Sequence, residues 1–335
     1  MMDEYNYNDT DEYNFNYTEM YDYFYDFDAL NEVSPRRPNP PRLTKIEIGL
    51  FHLILPFIFI VFQSIILIIF YKHSKIFESM PYKIMKHQGQ ILLIKQLGHF
   101  CTSFIIFFSI DNKLLFVSII GSMINGCYIG NAMFILLITI NRLLIMYRNS
   151  QLPIYVDRIF IFSIFLCYLC AISFFIFFLF PSHRIIFDLK YYEWYSVSYI
   201  DRDMGNKIFT EIQNQIVLIT LGIASTLYLL IFLRIIFLRL LSRNSIIVAE
   251  DAKFLLYAIL NFFSIVFLEI AWSKLNFYFS YSDGFIIVPQ FLYIFVSGSN
   301  TIFTFCFVSQ VRKNIFRSTK PKKKTITTKI RLIRY

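Results

Sequence analysis

The sequence predicts an all-α membrane protein: a seven-transmembrane helix bundle with a short amphipathic eighth helix and an exterior N-terminus. Three observations carry this prediction. Seven long apolar stretches, separated by short polar loops, run from about Ile46 to Val308. The composition is far from that of a soluble domain. The basic loops fall on a single side only if the spans number seven.

A membrane core requires about 20 mostly apolar residues per helix. The apolar windows fall at 47–71, 84–108, 114–146, 159–180, 213–238, 254–275 and 284–308. Apolar residues make up 56% of the chain, 40 of its 335 residues are Phe, and its mean hydropathy is +0.54. A soluble domain has about 45–50% apolar residues and does not string them in such runs. A transmembrane β-barrel needs alternation in period two, and these runs are continuous. In hydrocarbon the backbone must bond within its own segment, so each run is helical.

Residues 1–45 read as an acidic, Tyr- and Asn-rich disordered extracellular arm. The first 35 residues hold ten acids, from Asp3 to Glu32, and no Lys or Arg. Tyr5, Tyr7, Tyr13, Tyr17, Tyr21, Tyr23 and Tyr25 are interspersed with Asp, Asn and Glu. So polar a segment cannot bury enough apolar surface to fold. It is either a solvated leader or an arm that attracts a basic ligand, its tyrosines sulfated beside acids. Two sequons, at Asn8 and Asn16, predict glycosylation on the lumenal side. Pro35, Pro38, Pro40 and Pro41 form a hinge before the first span.

Residues 46–308 form the predicted bundle, and charge sets its orientation. Cytoplasmic segments collect Lys and Arg near helix ends. Lys72, Lys75, Lys83 and Lys86 follow the first span, Arg142, Arg148 and Arg158 the third, and Arg234, Arg239, Arg243 and Lys253 the fifth. The intervening loops are mixed or acidic, with Asp111, Asp188, Glu193, Asp201 and Asp203. Residues 309–335 then make an amphipathic helix and a basic cytoplasmic tail. Ten bases from Arg312 to Arg334 and no acid suit attraction to an anionic inner leaflet. The expected location is the plasma membrane, with multiple passes and membrane lipids as surroundings. The net charge of +9 is not a sign of nucleic-acid binding, because the bases sit at membrane edges.

The five cysteines, Cys101, Cys127, Cys167, Cys170 and Cys306, all fall inside predicted spans, so no exterior disulfide is expected. No Cys or His spacing resembles a metal site, and no cofactor is implied. No nucleophile–base set, HExxH or phosphate loop suggests an enzyme.

The third span ends Leu137-Ile138-Thr139-Ile140-Asn141-Arg142-Leu143-Leu144. An Arg here, preceded by a polar residue, resembles the Asp-Arg-Tyr element of rhodopsin-like G-protein-coupled receptors. The plainer alternative is a snorkelling, positive-inside Arg. In the seventh span, Ser299-Asn300-Thr301-Ile302-Phe303-Thr304 resembles a degraded Asn-Pro-x-x-Tyr element. In the segment that follows, Val311, Ile315 and Phe316 stand opposite Arg312, Lys313 and Arg317, a pattern that suits a helix on the inner leaflet. This resembles the superfamily's eighth helix.

The sequence departs from that pattern in several places. The first span lacks the family's Asn. Lys95-Gln96 stands in the second where such receptors carry Asp, so a sodium site is in doubt. The fifth and sixth spans lack their usual Pro, and no Cys pair joins the third helix to the second exterior loop. With these departures the chain most resembles the nematode serpentine chemoreceptors, especially the srg-like superfamily (the srv, srx, srt and srg families). The resemblance implies a chemosensory receptor that passes binding of an extracellular small molecule or peptide to a heterotrimeric G protein. Asn141, Arg142, Asn300, Arg312 and Lys313 would serve coupling and activation. A virus-encoded chemokine-receptor-like protein is the alternative, suggested by the acidic arm. A transporter would show internal repeats, which are absent, and an insect-type channel would place its N-terminus inside.

Intramembrane polar residues act either in function or as interhelical glue. Lys95, Gln96 and His99 lie within about one turn, and Lys95 is expected to snorkel or pair. Asn125, Tyr128 and Asn131 share one face of the third span. Glu269 and Trp272 share one in the sixth, as do Gln290 and Tyr293 in the seventh. The predicted ligand pocket comprises Asn125, Tyr128, Glu269, Trp272, Gln290 and Tyr293.

Overall fold

A computed structural model describes residues 43–111, 114–147, 154–180, 183–196, 205–241, 249–271 and 288–318. The arm with Asn8 and Asn16, residue Trp272 and the basic tail beyond 318 lie outside the described residues. The helices are α1 (Lys45–Lys72), α2 (Met80–Phe108), α3 (Leu115–Tyr147), α4 (Ile154–Leu179), α5 (Gly205–Leu241), α6 (Ala249–Ile270), α7 (Val288–Phe307) and α8 (Ser309–Ser318). Six of them, α1 to α5 and α7, are long and apolar enough to cross a membrane. The apolar part of α6, Leu255–Ile270, is shorter. The chain is thus a mostly helical, multi-pass membrane protein.

Local chemistry sets the helix ends. Thr44 caps α1: its hydroxyl accepts from the Glu47 amide at 3.3 Å, and the Glu47 carboxylate accepts from the Thr44 amide at 2.7 Å. This reciprocal pair satisfies two donors that the first turn leaves open. Pro81 begins α2 where no intrahelical N–H is needed. Ser109 ends it in the left-handed region at φ 45°, and the Lys45 ammonium donates to its hydroxyl at 2.5 Å. That bond fixes the start of α1 beside the end of α2.

Helix α3 is the central element, with 61% of its apolar window buried against 22% for α4. It packs on α2, α4, α5 and α6. Small residues permit the closest approaches. A Cβ on Gly126 would stand 2.7 Å from the Ala171 carbonyl oxygen of α4. A Cβ on Gly298 of α7 would stand 2.3 Å from the Phe59 ring of α1. Where lipid is as apolar as the side chains, such close packing is what holds helices together.

One element departs from the all-α expectation. The loop between α4 and α5 contains an antiparallel hairpin of β1 (Ile185–Asp188) and β2 (Glu193–Ser196), with Phe187 opposite Trp194. The Asp188 carboxylate accepts from the amides of Lys190 at 2.7 Å and Tyr191 at 3.3 Å, folding the turn back on itself. Ile185 and Phe187 point inward and are buried, while Ile186 and Asp188 are only half-buried. Two strands of four residues give too short an alternation to stand out beside spans of more than twenty. A Cβ on Gly121 of α3 would stand 2.6 Å from Ile185 and 2.7 Å from Trp194, so the hairpin lies directly on α3. Arg184 also donates to the Ser118 hydroxyl there.

Candidate functional site

Two polar groupings occupy the bundle. The first lies toward the hairpin end and is built around Lys95 of α2, which is 1% exposed. Its ammonium lies 3.6 Å from the ring centroid of Tyr293 on α7 and 4.6 Å from that of Tyr128 on α3. Lys95 therefore does not snorkel. It sits between aromatic faces, whose attraction for a desolvated cation reaches about 2 kcal/mol. Removing an ion from water costs several kcal/mol, so the rings offset only part of the burial.

The Tyr128 hydroxyl donates to the carboxylate of Glu269 on α6, and Glu269 is within electrostatic reach of Lys95. One phenol thus meets a cation at its face and an anion at its hydroxyl. The rings of Tyr128 and Tyr293 pack edge to face at 5.4 Å, and His99 meets Tyr293 at 5.1 Å. Both ring nitrogens of His99 are buried without a hydrogen-bond partner among the described residues. His52 of α1 lies beside His99 and meets Phe187 of the hairpin at 6.4 Å, edge to face. The Gln96 amide donates to the Ile294 carbonyl at 3.0 Å, tying α2 to α7.

Of the six pocket residues predicted from sequence, the fold brings Tyr128, Glu269 and Tyr293 together. Gln290 is buried on α7 and Asn125 is half-buried on α3. Lys95 and His99 join the group although the sequence reading placed them outside the pocket. Their charge and polarity within an apolar run were the available signal.

The second grouping lies nearer the Arg142 end and consists of neutral side chains. Gln88 of α2 donates to Asn131 of α3 at 2.9 Å, and the Tyr257 hydroxyl of α6 lies 3.2 Å from the Gln88 oxygen. The same hydroxyl donates to Asn300 of α7. Thr301 donates to Gln63 of α1 at 2.5 Å. Gly89 makes room for Gln63, because a Cβ there would meet the Gln63 amide nitrogen at 2.3 Å. Gln63, Gln88 and Tyr257 were missed in the sequence, where isolated polar residues in apolar runs carry no sign of their partners.

At the far end of α3, Asn141 is fully buried and Arg142 is 3% exposed. Arg142 lies within electrostatic reach of Tyr228 on α5. Neither amide atom of Asn141 has a hydrogen-bond partner among the described residues. Arg234 of α5 stacks over Tyr147 at 5.2 Å. Arg312 of α8 donates to the carbonyls of Cys306 and, at 3.4 Å, Phe305, closing the end of α7. Lys313 is exposed. Val311 is buried in the core, which roots α8 on the bundle, where it packs on α1 and α7.

Among solved structures, the crystal structure of squid rhodopsin matches with a TM-score of 0.68 and 10% sequence identity, covering 82% of this chain and 86% of that one. This chain has the rhodopsin fold. At that identity the likeness speaks to the fold alone. No family model matches the chain, and no curated protein matches it in sequence. On the rhodopsin fold, then, this sequence places a charged aromatic cluster beneath the hairpin and a neutral network nearer Arg142.

Proposed function

We propose that this chain is a G-protein-coupled receptor in which α6 completes a seven-helix bundle. Its N-terminus is extracellular, its C-terminus is cytoplasmic, and α8 lies along the inner leaflet. An extracellular small molecule or peptide acts at the cluster of Lys95, Tyr128, Glu269 and Tyr293 and shifts the bundle toward a state that a heterotrimeric G protein binds. The observation that carries this reading is the rhodopsin fold with Asn141-Arg142 buried at the end of α3. The Lys and Arg bias of that end supports the orientation. Coupling falls to Asn141, Arg142, Arg312 and Lys313, with Asn300 linking α7 to α6 through Tyr257. The resemblance of the Asn-Arg pair to nematode serpentine chemoreceptors supports a chemosensory role at the plasma membrane, with glycans on Asn8 and Asn16.

The test is an N-terminal epitope probed on intact cells, with a G-protein recruitment sensor read in parallel for the wild type and Arg142→Ala. The expected result is a surface-exposed tag and recruitment that the substitution abolishes. A tag reached only after permeabilisation overturns the orientation. Full recruitment by Arg142→Ala removes Arg142 from coupling.

A further inference from the structure

The group beneath the hairpin holds one buried cation and one carboxylate on different helices, and a single phenol stands between them. Lys95 of α2 covers the Tyr128 ring, and Glu269 of α6 accepts from the Tyr128 hydroxyl. We propose that this arrangement binds a small zwitterion, a primary amine and a carboxylate carried on one short chain. The proposal names the ligand class of the receptor site put forward above and rests on that reading.

The chemistry follows from the two charges. A simple anion that reaches Lys95 also meets the Glu269 carboxylate, and a simple amine that reaches Glu269 also meets Lys95. Each suffers like-charge repulsion that works against binding. A molecule with both charges satisfies both groups in one orientation, its carboxylate on Lys95 and its ammonium on Glu269. The surroundings match each end. On the Lys95 side, His99 offers a buried ring without a hydrogen-bond partner among the described residues, able to donate to a carboxylate. On the Glu269 side, the carboxylate accepts one hydrogen bond from Tyr128 and has acceptor capacity left for an ammonium. Phe187 of the hairpin is fully buried and meets the His52 ring edge to face, and His52 lies beside His99, so the Lys95 side of the site has low-dielectric surroundings that strengthen a charge contact. The ligand would link α2 to α6 and thereby couple occupancy to the position of α6, which also carries Tyr257 of the neutral network.

The experiment uses the purified full-length receptor in detergent and reads thermal protection without any G protein. The probes are glycine, 4-aminobutyrate and 6-aminohexanoate, with butyrate and butylamine as single-charge controls at matched ionic strength. The expected result is protection by at least one of the three amino acids and by neither control. Lys95→Gln and Glu269→Gln should each raise the half-maximal concentration by about tenfold or more. Tyr128→Phe keeps both charges and serves if either of those variants fails to fold; it should shift the half-maximal concentration as well. No protection by any of the three amino acids, protection by the controls alone, or unchanged protection in the folded variants overturns the proposal. A receptor that binds a zwitterion but recruits no G protein sinks the coupling reading and leaves this one standing. Arg142-dependent recruitment without zwitterion protection does the reverse.

Discussion

The two halves of the bundle are held together by different chemistry. Near the Arg142 end, Gln63, Gln88, Asn131, Tyr257, Asn300 and Thr301 join α1, α2, α3, α6 and α7 through neutral hydrogen bonds. Gly89 and Gly298 let the α1 side chains Gln63 and Phe59 come close. Toward the hairpin, Lys95, Tyr128, Glu269, Tyr293 and His99 join nearly the same helices through a cation, an anion and aromatic faces. The neutral network pairs donors with acceptors and needs nothing from outside. The charged cluster leaves an imidazole without a hydrogen-bond partner among the described residues and shields an ammonium with rings rather than water. The first group is closed by its own hydrogen bonds, and the second leaves the His99 nitrogens unbonded among the described residues.

Substitutions in each half test this contrast. The largest stability loss should come from Gly298→Val, which drives a side chain into the Phe59 ring and separates α7 from α1. Overpacking of this kind costs about 3 kcal/mol at the upper end of its usual range. A thermal melt of the purified protein should show it as a large drop, and a wild-type melt would mean that the joint is not tightly packed.

Tyr→Phe can then be made once in each half. Tyr128→Phe removes a donor from the Glu269 carboxylate. Hydrogen bonds to charged groups contribute about 1.5–3 kcal/mol, so a loss of about 2 kcal/mol is expected by denaturant titration. Tyr257→Phe removes two neutral contacts, to Gln88 and Asn300. Interhelical bonds in membranes average about 0.6 kcal/mol each, so the loss should be about 1 kcal/mol. If Tyr257→Phe proved the more damaging, the contrast between the charged cluster and the neutral network would have the wrong sign. The smallest effect is expected for Thr301→Val, which loses one bond to Gln63, about 0.6 kcal/mol by the same titration. A loss several times larger would show that Gln63 organises the joint rather than merely bracing it.

Much of the fold was legible because hydropathy is a local property. The window 47–71 became Lys45–Lys72, and 114–146 became Leu115–Tyr147. Asn141-Arg142 stood out as a polar pair at the end of an apolar run, and the fold buries both residues. The hairpin was not legible, because its turn and register depend on Asp188 and on the α3 surface beneath Ile185 and Trp194. Tyr128, Glu269 and Tyr293, each readable as a polar residue within a span, meet in the fold, and Lys95, expected to snorkel or pair, lies against two of their rings.

What the sequence determined by itself is where the chain becomes hydrophobic and which polar residues sit inside those stretches. Burial of an apolar helix in hydrocarbon is decided residue by residue along about 20 positions, and every one of them can be read. What only the tertiary structure decided is the pairing: Lys95 with Tyr128 and Tyr293, Tyr128 with Glu269, Tyr257 with Asn300, and Gln63 with Thr301. The Gln63–Thr301 contact spans 238 residues and the Tyr128–Glu269 contact 141. Side chains so far apart meet only when helix packing sets rotation and depth together. A residue's polarity shows that it needs a partner, and only the packed bundle determines which one it finds.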